Sequence, residues 1–285
     1  MGRGIINNCL FFPVKGLIMK YFTLFLLLLG ACTNPYRATN KKYKQQAKQY
    51  ARTIREYPLT EGTDSMPAPP YWVGTVNFNL RKPNFVIIHH TAQKSCPQTL
   101  QTFTTDTGRQ VSAHYVICKD GTVHHMLNDY LRAWQAGVSK WGNITDVNSI
   151  SIGIELDNNG KEPFTDPQIK SLLYLLAKLK TTYGIPAANF IGHADIAPTR
   201  KDDPSVFFPW KELADKGYGL WYGDTTGVCL PAGFSSLTAL RLIGYDIRDS
   251  SAAVRAFKRH FEQDTLRTWG MPDEKVLYAL YRQYE

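Results

Sequence analysis

The sequence predicts an α/β protein, a mixed β-sheet flanked by helices, followed by a small C-terminal module of three helices. Short apolar segments rich in β-branched residues, typical of buried strands, are interspersed with one long amphipathic helix between about residues 84 and 222. A stretch rich in Gly, Thr and Pro begins at residue 223, and three short helical patterns follow it. We therefore expect a domain at residues 61–222 and a helical module at residues 223–285.

Local patterns predict the individual elements. The strands are expected at residues 85–88, in two arms of a hairpin within 112–126 that turns at Asp120-Gly121, at 149–156 and at 189–192. The strongest helix prediction runs from Asp166 to Tyr183, with Pro167 just inside its start and Gly184 at its end. The C-terminal helices are predicted at residues 235–243, 251–261 and 273–284.

The charge distribution separates the N-terminal region from the rest of the chain. The 285 residues include 33 Lys and Arg and 24 Asp and Glu, a net charge of +9. Residues 1–58 hold ten of these cations and one acidic residue, so the remainder holds 23 of each sign and is neutral. Because the basic excess is confined to one terminal segment, we predict no nucleic-acid binding.

Residues 1–31 predict a lipoprotein signal peptide. The apolar run at 21–31 has eleven residues, about half of the ~20 that a membrane-spanning helix needs, and follows two lysines. It ends in Leu29-Gly30-Ala31-Cys32, which resembles a bacterial lipobox in which Cys32 is lipidated. An ordinary secretory signal with a chance cysteine is the alternative.

Residues 32–60 would then form a lipidated, basic tether with a short helix around 41–55. Its cations either contact anionic lipid headgroups or keep a spacer solvated, and both interpretations stay open. Translation can start at Met1 or at Met19, just before the apolar run.

Two histidines and one aspartate fit a metal site. His89 follows the first predicted strand, His193 follows the strand at 189–192, and Asp203 comes ten residues later in a loop bracketed by prolines. Histidines at the ends of neighbouring strands can converge on one ion with such a carboxylate. Three protein ligands and one open position are the arrangement of catalytic zinc. From spacing alone, a metal site and a set of two structural histidines with a solvated acid are equally good interpretations.

The sequences around these residues carry a more specific signal. The strings IHHTA at 88–92, SIGIEL at 151–156 and GHADIAPTRKDDP at 192–204 resemble the type 2 N-acetylmuramoyl-L-alanine amidases, in particular their lipoprotein members. The resemblance covers about residues 84–222, with the motifs in order. It implies the fold shared with peptidoglycan-recognition proteins and phage T7 lysozyme. It also implies hydrolysis of the amide between the lactyl group of N-acetylmuramic acid and L-Ala of the stem peptide.

The resemblance also implies roles for single residues. The zinc ligands fall on His89, His193 and Asp203, and the catalytic pair falls on Glu155 and Lys201. Zinc lowers the pKa of a bound water toward 7. Glu155 would exchange protons with that water and with the leaving amine, and Lys201 would stabilise the developing oxyanion.

Substrate contacts are expected from His114, Trp134 and Gln135, although structural packing is an equally good interpretation of His114. The segment RAWQAG at 132–137 resembles a family segment that usually reads AWHAG, so Gln135 replaces a titratable histidine. His90 takes a position that is not expected to bind metal.

Three cysteines and the C-terminal helices leave alternatives open. Cys96 and Cys118 either pair in an oxidising periplasm or remain free, buried thiols. Cys229 lies in the boundary stretch and would be a free, buried thiol. The helices at 223–285 resemble a peptidoglycan-binding module, which would act as a wall anchor. The alternative is a cap that stabilises the catalytic domain.

Together these features predict a monomeric amidase with one zinc per chain, anchored through Cys32 to the outer membrane and facing the periplasm. Its substrates would be peptidoglycan or (anhydro)muropeptides, with the preference between them and the stem-peptide specificity left open. Two other functions remain: a non-catalytic peptidoglycan-binding protein, and a zinc peptidase of the stem peptide.

Overall fold

The structure is a computed structural model that describes residues 34–55, 75, 77, 79–105, 108–264 and 268–284. The chain divides into two compact units, Met1–Gly74 and Thr75–Glu285. The predicted signal peptide and Cys32 lie outside the described residues. Within the described ranges, no helix combines the length and the apolar character needed to cross a membrane.

The described part of the first unit is one helix, α1 (Arg37–Thr53). It begins four residues before the start expected for a tether helix. The helix carries six Lys and Arg side chains and no acidic one, and none of its residues is buried. It is therefore an exposed, strongly cationic element.

A five-stranded mixed sheet forms the centre of the second unit. The strands are β1 (Phe85–His90), β2 (Tyr115–Ile117), β3 (Val123–His125), β4 (Ser151–Leu156) and β5 (Phe190–Gly192). Their order is β3-β2-β4-β1-β5, and only the hairpin partner β3 runs antiparallel. The predicted mixed sheet is confirmed.

Eight α-helices are found in the described residues of this unit. They are α2 (Cys96–Thr104), α3 (Val147–Ile150), α4 (Asp166–Tyr183), α5 (His193–Ile196), α6 (Trp210–Asp215), α7 (Ser236–Ile243), α8 (Ser250–Phe261) and α9 (Met271–Tyr281). Helix α4 has the predicted bounds because its signals are local: Pro167 lies in the first turn, and Gly184 ends the helix at φ 63°.

Several predicted boundaries differ from the structure, and those of β1 and β4 bear on the site. His89 and His90 lie within β1 rather than after it, and β4 begins at Ser151 because the preceding residues form the helical turn α3. His193 does not extend a strand but opens α5. That helix starts there because the Asp195 carboxylate accepts the Gly192 N–H at 2.7 Å, which satisfies a backbone donor at the helix start.

The sheet is covered by helices on both faces. Successive residues of a strand point to opposite sides, so Val86 and Ile88 pack with α4, whereas Phe85 and Ile87 belong to a core that includes α7, α8 and α9. The C-terminal helices thus share a hydrophobic core with β1. Whether they also bind the cell wall stays a prediction.

Of the alternatives for the cysteines, the structure contains a disulfide between Cys96 and Cys118, with the two Cα atoms 5.4 Å apart. His124 lies beside these sulfurs, but a disulfide offers no thiolate to a metal. Cys229 is free and exposed rather than buried.

His114 is fully buried, and its ring bonds to β4 and to the loop that contains Leu131. Its Nδ1 accepts a hydrogen bond from the Gly153 N–H of β4 at 3.1 Å, so the other ring nitrogen, Nε2, donates to the Leu131 carbonyl at 3.0 Å. Burial lowers the pKa of His114 to about 4. The burial and hydrogen bonds of His114 favour structural packing over substrate contact, and we assign the side chain no contact with substrate.

This environment predicts a pH-dependent stability. Between about pH 6.5, the pKa of an unfolded histidine, and about pH 4, the unfolded chain binds a proton that folded His114 does not. The free energy of unfolding should therefore fall as the pH falls, with a contribution from His114 of up to about 3 kcal/mol. His114→Asn keeps an acceptor near Nδ1 and does not titrate, so urea unfolding from pH 7 to 4 should show a shallower loss.

His124→Asn on the adjacent strand β3 is the matched control and should retain the slope of the natural protein. An unchanged slope in His114→Asn would contradict the assignment of the buried, neutral ring.

Candidate metal centre and active site

The three predicted metal ligands meet at one edge of the sheet. Strands β1 and β5 are adjacent and parallel, so their C-terminal ends bring His89 and His193 together. Asp203 reaches the same point from the loop after α5. Its Oδ2 lies 3.0 Å from His89 Nδ1 and 3.1 Å from His193 Nδ1, and all three side chains are buried.

The second nitrogen of each imidazole is bonded to the protein. His89 Nε2–H donates to the Gln135 side-chain oxygen at 2.6 Å, and His193 Nε2–H donates to the Ala136 carbonyl at 3.0 Å. With hydrogens on both Nε2 atoms, the Nδ1 lone pairs face the Asp203 carboxylate. Two imidazole nitrogens and one carboxylate oxygen, oriented by outer hydrogen bonds, fit a zinc ion.

Gln135 faces the metal centre rather than the solvent. Besides its bond to His89, its side-chain amide donates to Ser151 Oγ at 2.8 Å, and its backbone N–H donates to the Asn148 side chain at 3.1 Å. A Cβ on Gly153 would lie 2.5 Å from Gln135 Cγ, so the glycine leaves room for this side chain. The Gln135 side chain therefore contacts the candidate ligand His89, and its contact with substrate stays a prediction.

The ionisation of the three ligands follows from their burial and mutual contacts. Burial lowers the pKa of His193 to about 4, so the ring is neutral at pH 7. Burial opposes the charge on Asp203, but His193 and His89 hold its pKa well below the ordinary value. Burial also lowers the pKa of His89, but Glu155 and Asp203 outweigh it and raise this pKa.

Glu155 lies beside this centre, and Lys201 is near enough for its charge to act on Glu155 and His193. Glu155 is the register partner of His89 across β1 and β4, and its Oε1 is 4.0 Å from His89 Nδ1. Burial raises the pKa of the Glu155 carboxyl, while the charges of His89 and Lys201 partly offset this. A carboxyl group with a raised pKa, next to a metal centre, suits proton exchange during catalysis.

His90 and Trp134 have different surroundings. His90 follows His89 in β1, and its Nδ1 accepts the Ser205 N–H at 3.1 Å. Trp134 is 53% exposed, next to Gln135 in sequence. Its ring is therefore available to a ligand.

Comparisons with known proteins agree with this geometry. The family profile of N-acetylmuramoyl-L-alanine amidase matches residues 79–206. The chain is 33% identical over 207 residues to N-acetylmuramoyl-L-alanine amidase AmiD of Escherichia coli, a match covering 62% of this chain and 74% of that relative. It is 40% identical over 103 residues to the 1,6-anhydro-N-acetylmuramyl-L-alanine amidase AmpD of Haemophilus influenzae, covering 36% of this chain and 56% of that protein.

Solved structures extend the similarity beyond the catalytic motifs. AmiD from Escherichia coli, in complex with anhydro-N-acetylmuramic acid-L-Ala-D-γ-Glu-L-Lys, superposes with a TM-score of 0.65 at 28% identity, covering 74% of this chain and 93% of that one. AmpDh3 from Pseudomonas aeruginosa gives a TM-score of 0.64 at 28% identity, covering 75% and 97%.

The fold and the similarities define a hydrolase of amide bonds. The chain belongs to the type 2 N-acetylmuramoyl-L-alanine amidase family and is an enzyme of that class.

Substitutions of Trp134 and Gln135, which are adjacent in sequence, should separate substrate binding from metal binding. Gln135→Leu removes the acceptor for His89 Nε2–H at similar volume, so it should weaken zinc affinity by roughly 10- to 100-fold in competition with a chelator. Trp134→Ala, the matched control, should leave zinc affinity unchanged but raise KM. Equal zinc affinity in Gln135→Leu and the natural protein would contradict the positioning of His89 by Gln135.

Proposed function

We propose that this amidase cleaves the bond between the lactyl group of N-acetylmuramic acid and L-Ala, with one zinc ion held by His89, His193 and Asp203. The observation that carries the proposal is the convergence of both Nδ1 atoms on one oxygen of Asp203, with Glu155 4.0 Å from His89. The AmiD complex with an anhydromuropeptide supports (anhydro)muropeptides as the substrate class.

When bound, zinc would acidify water and polarise the amide carbonyl. The chain's own residues supply the remaining chemistry. Glu155 accepts a proton from the attacking water and returns it to the nitrogen of the leaving L-Ala, which its raised pKa favours. The Lys201 ammonium compensates the negative charge that develops on the carbonyl oxygen. Burial of the ligands keeps the centre dry, which strengthens these charge interactions.

The products of digestion test this proposal against a zinc peptidase of the stem peptide. Purified protein incubated with sacculi or with an anhydromuropeptide should release peptides that begin with free L-Ala, identified by mass spectrometry. Chelation should abolish the release and added zinc should restore it. Glu155→Gln should lower kcat by about 10²- to 10⁴-fold, because general acid-base catalysis contributes that much.

Glu162→Gln is the matched control, since Glu162 pairs with Lys119 on the surface, and it should retain activity. Cleavage between stem-peptide residues would identify a peptidase instead. Activity that survives chelation would contradict the zinc mechanism.

We also propose that the enzyme is a monomeric lipoprotein, anchored through Cys32 to the outer membrane and facing the periplasm. The lipobox-like segment before Cys32 supports the anchor, and Thr33 rather than Asp after it supports the outer membrane by resemblance to lipoprotein sorting. The six cations of α1, which begins five residues later, favour contact with anionic headgroups by about 1 kcal/mol each near a charged surface. The C-terminal helices would in addition bind the wall.

Fractionation of cells tests the anchor. The protein should partition with the outer membrane, and Cys32→Ser should release it or leave it unprocessed, with the lipid mass absent from its N-terminal peptide. If Cys32→Ser alters neither the membrane partition nor the mass of the N-terminal peptide, Cys32 is not lipidated. Pelleting of inactive Glu155→Gln with sacculi tests wall binding without digestion, and a failure to pellet would count against the wall anchor.

A further inference from the structure

A buried polar contact joins the C-terminal helices to the helix that begins with His193. Asp195, two residues after this ligand, is 1% exposed. Its Oδ2 accepts hydrogen bonds from the His260 Nδ1–H of α8 and from the Gly192 N–H, each at 2.7 Å. Its Oδ1 accepts the Tyr245 hydroxyl, just after α7, also at 2.7 Å. One carboxylate thus binds donors from three segments.

The two side chains that reach Asp195 are themselves held by packing. The His260 ring stacks on Trp210, with centroids 3.8 Å apart and planes 16° apart. The Tyr245 ring packs edge-on against Trp141 at 5.1 Å and against Phe257 at 6.2 Å. Because a buried carboxylate is costly without its hydrogen bonds, Asp195 stays where these fixed donors are.

The position of Asp195 bears on two of the three metal ligands. Helix α5 is a single turn, so it cannot hold His193 in place by its own hydrogen bonds. The Ala194 N–H of the same turn donates to the backbone carbonyl of Asp203 at 2.7 Å. A shift of this turn would therefore move the His193 ring and the Asp203 loop together.

We propose that Asp195, His260 and Tyr245 are positioning residues of the metal centre, through which the C-terminal helices hold His193 Nδ1 toward Asp203. The inference rests on the proposed ligation by His89, His193 and Asp203. It gives the helices a part in metal retention that is separate from any binding to the wall.

Substitutions at these positions separate the hydrogen bond from the packing. His260→Phe keeps a ring over Trp210 but removes the donor, whereas His260→Asn keeps a donor near the position of Nδ1. Tyr245→Phe removes the donor to the other carboxylate oxygen and keeps its ring. Phe234→Leu perturbs the packing of the same helices at a ring that contacts Tyr278 rather than Tyr245, and it is the matched control for stability.

The readouts are the Zn²⁺ dissociation constant, by chelator competition on the full protein, the absorption spectrum with Co²⁺, and the Tm. We expect His260→Phe and Tyr245→Phe to weaken Zn²⁺ binding by about 10- to 100-fold and to change the Co²⁺ spectrum. His260→Asn should bind Zn²⁺ within about threefold of the natural protein. Phe234→Leu should lower the Tm and leave the dissociation constant unchanged.

Unaltered Zn²⁺ affinity in both His260→Phe and Tyr245→Phe would overturn the inference, as would an equal loss of affinity in Phe234→Leu. If His260→Phe does not fold, Tyr245→Phe decides. His193→Ala separates this failure from that of the proposed function: if it binds Zn²⁺ as tightly as the natural protein, the ligand assignment itself is wrong.

Discussion

Two imidazole rings, each with one nitrogen already bonded to the protein, set the geometry of this site. Gln135 and the Ala136 carbonyl take the Nε2 hydrogens of His89 and His193, and the two Nδ1 atoms then have one common target, the Asp203 carboxylate. A metal entering this point meets donors whose orientation is already fixed, so little side-chain entropy is lost on binding. The same arrangement keeps Asp203 ionised and His193 neutral, which are the protonation states that ligands need.

The rest of the fold holds these rings in place. Parallel pairing of β1 with β4 and β5 brings Glu155 and His193 to either side of His89, and helices cover both faces of the sheet. The C-terminal helices share a core with β1 and contact the His193 turn through Asp195. Catalytic sheet and helical module therefore form one compact unit, although the chain between them is rich in turn-forming residues.

Local signals explain what the sequence predicts well. Helix α4 follows from Pro167, Gly184 and the apolar period, and the candidate ligands His89 and His193 follow from motifs that lie at strand ends. What the sequence does not predict depends on contacts between distant segments. Gln135 turns toward His89 because Gly153, on another strand, leaves space for it. Asp195 lies 65 residues from His260 in the sequence. Its place in the string HAD, which begins with the candidate ligand His193, is the one local signal that the sequence offers for it.

The most direct test is an anomalous diffraction map, recorded at the zinc absorption edge from crystals of the zinc-loaded enzyme. It should show one peak per chain, within bonding distance of His89 Nδ1, His193 Nδ1 and an Asp203 oxygen, with Glu155 close by but not bonded. Zinc elsewhere in the chain, with these three side chains still bonded only to one another, would contradict the metal centre described here.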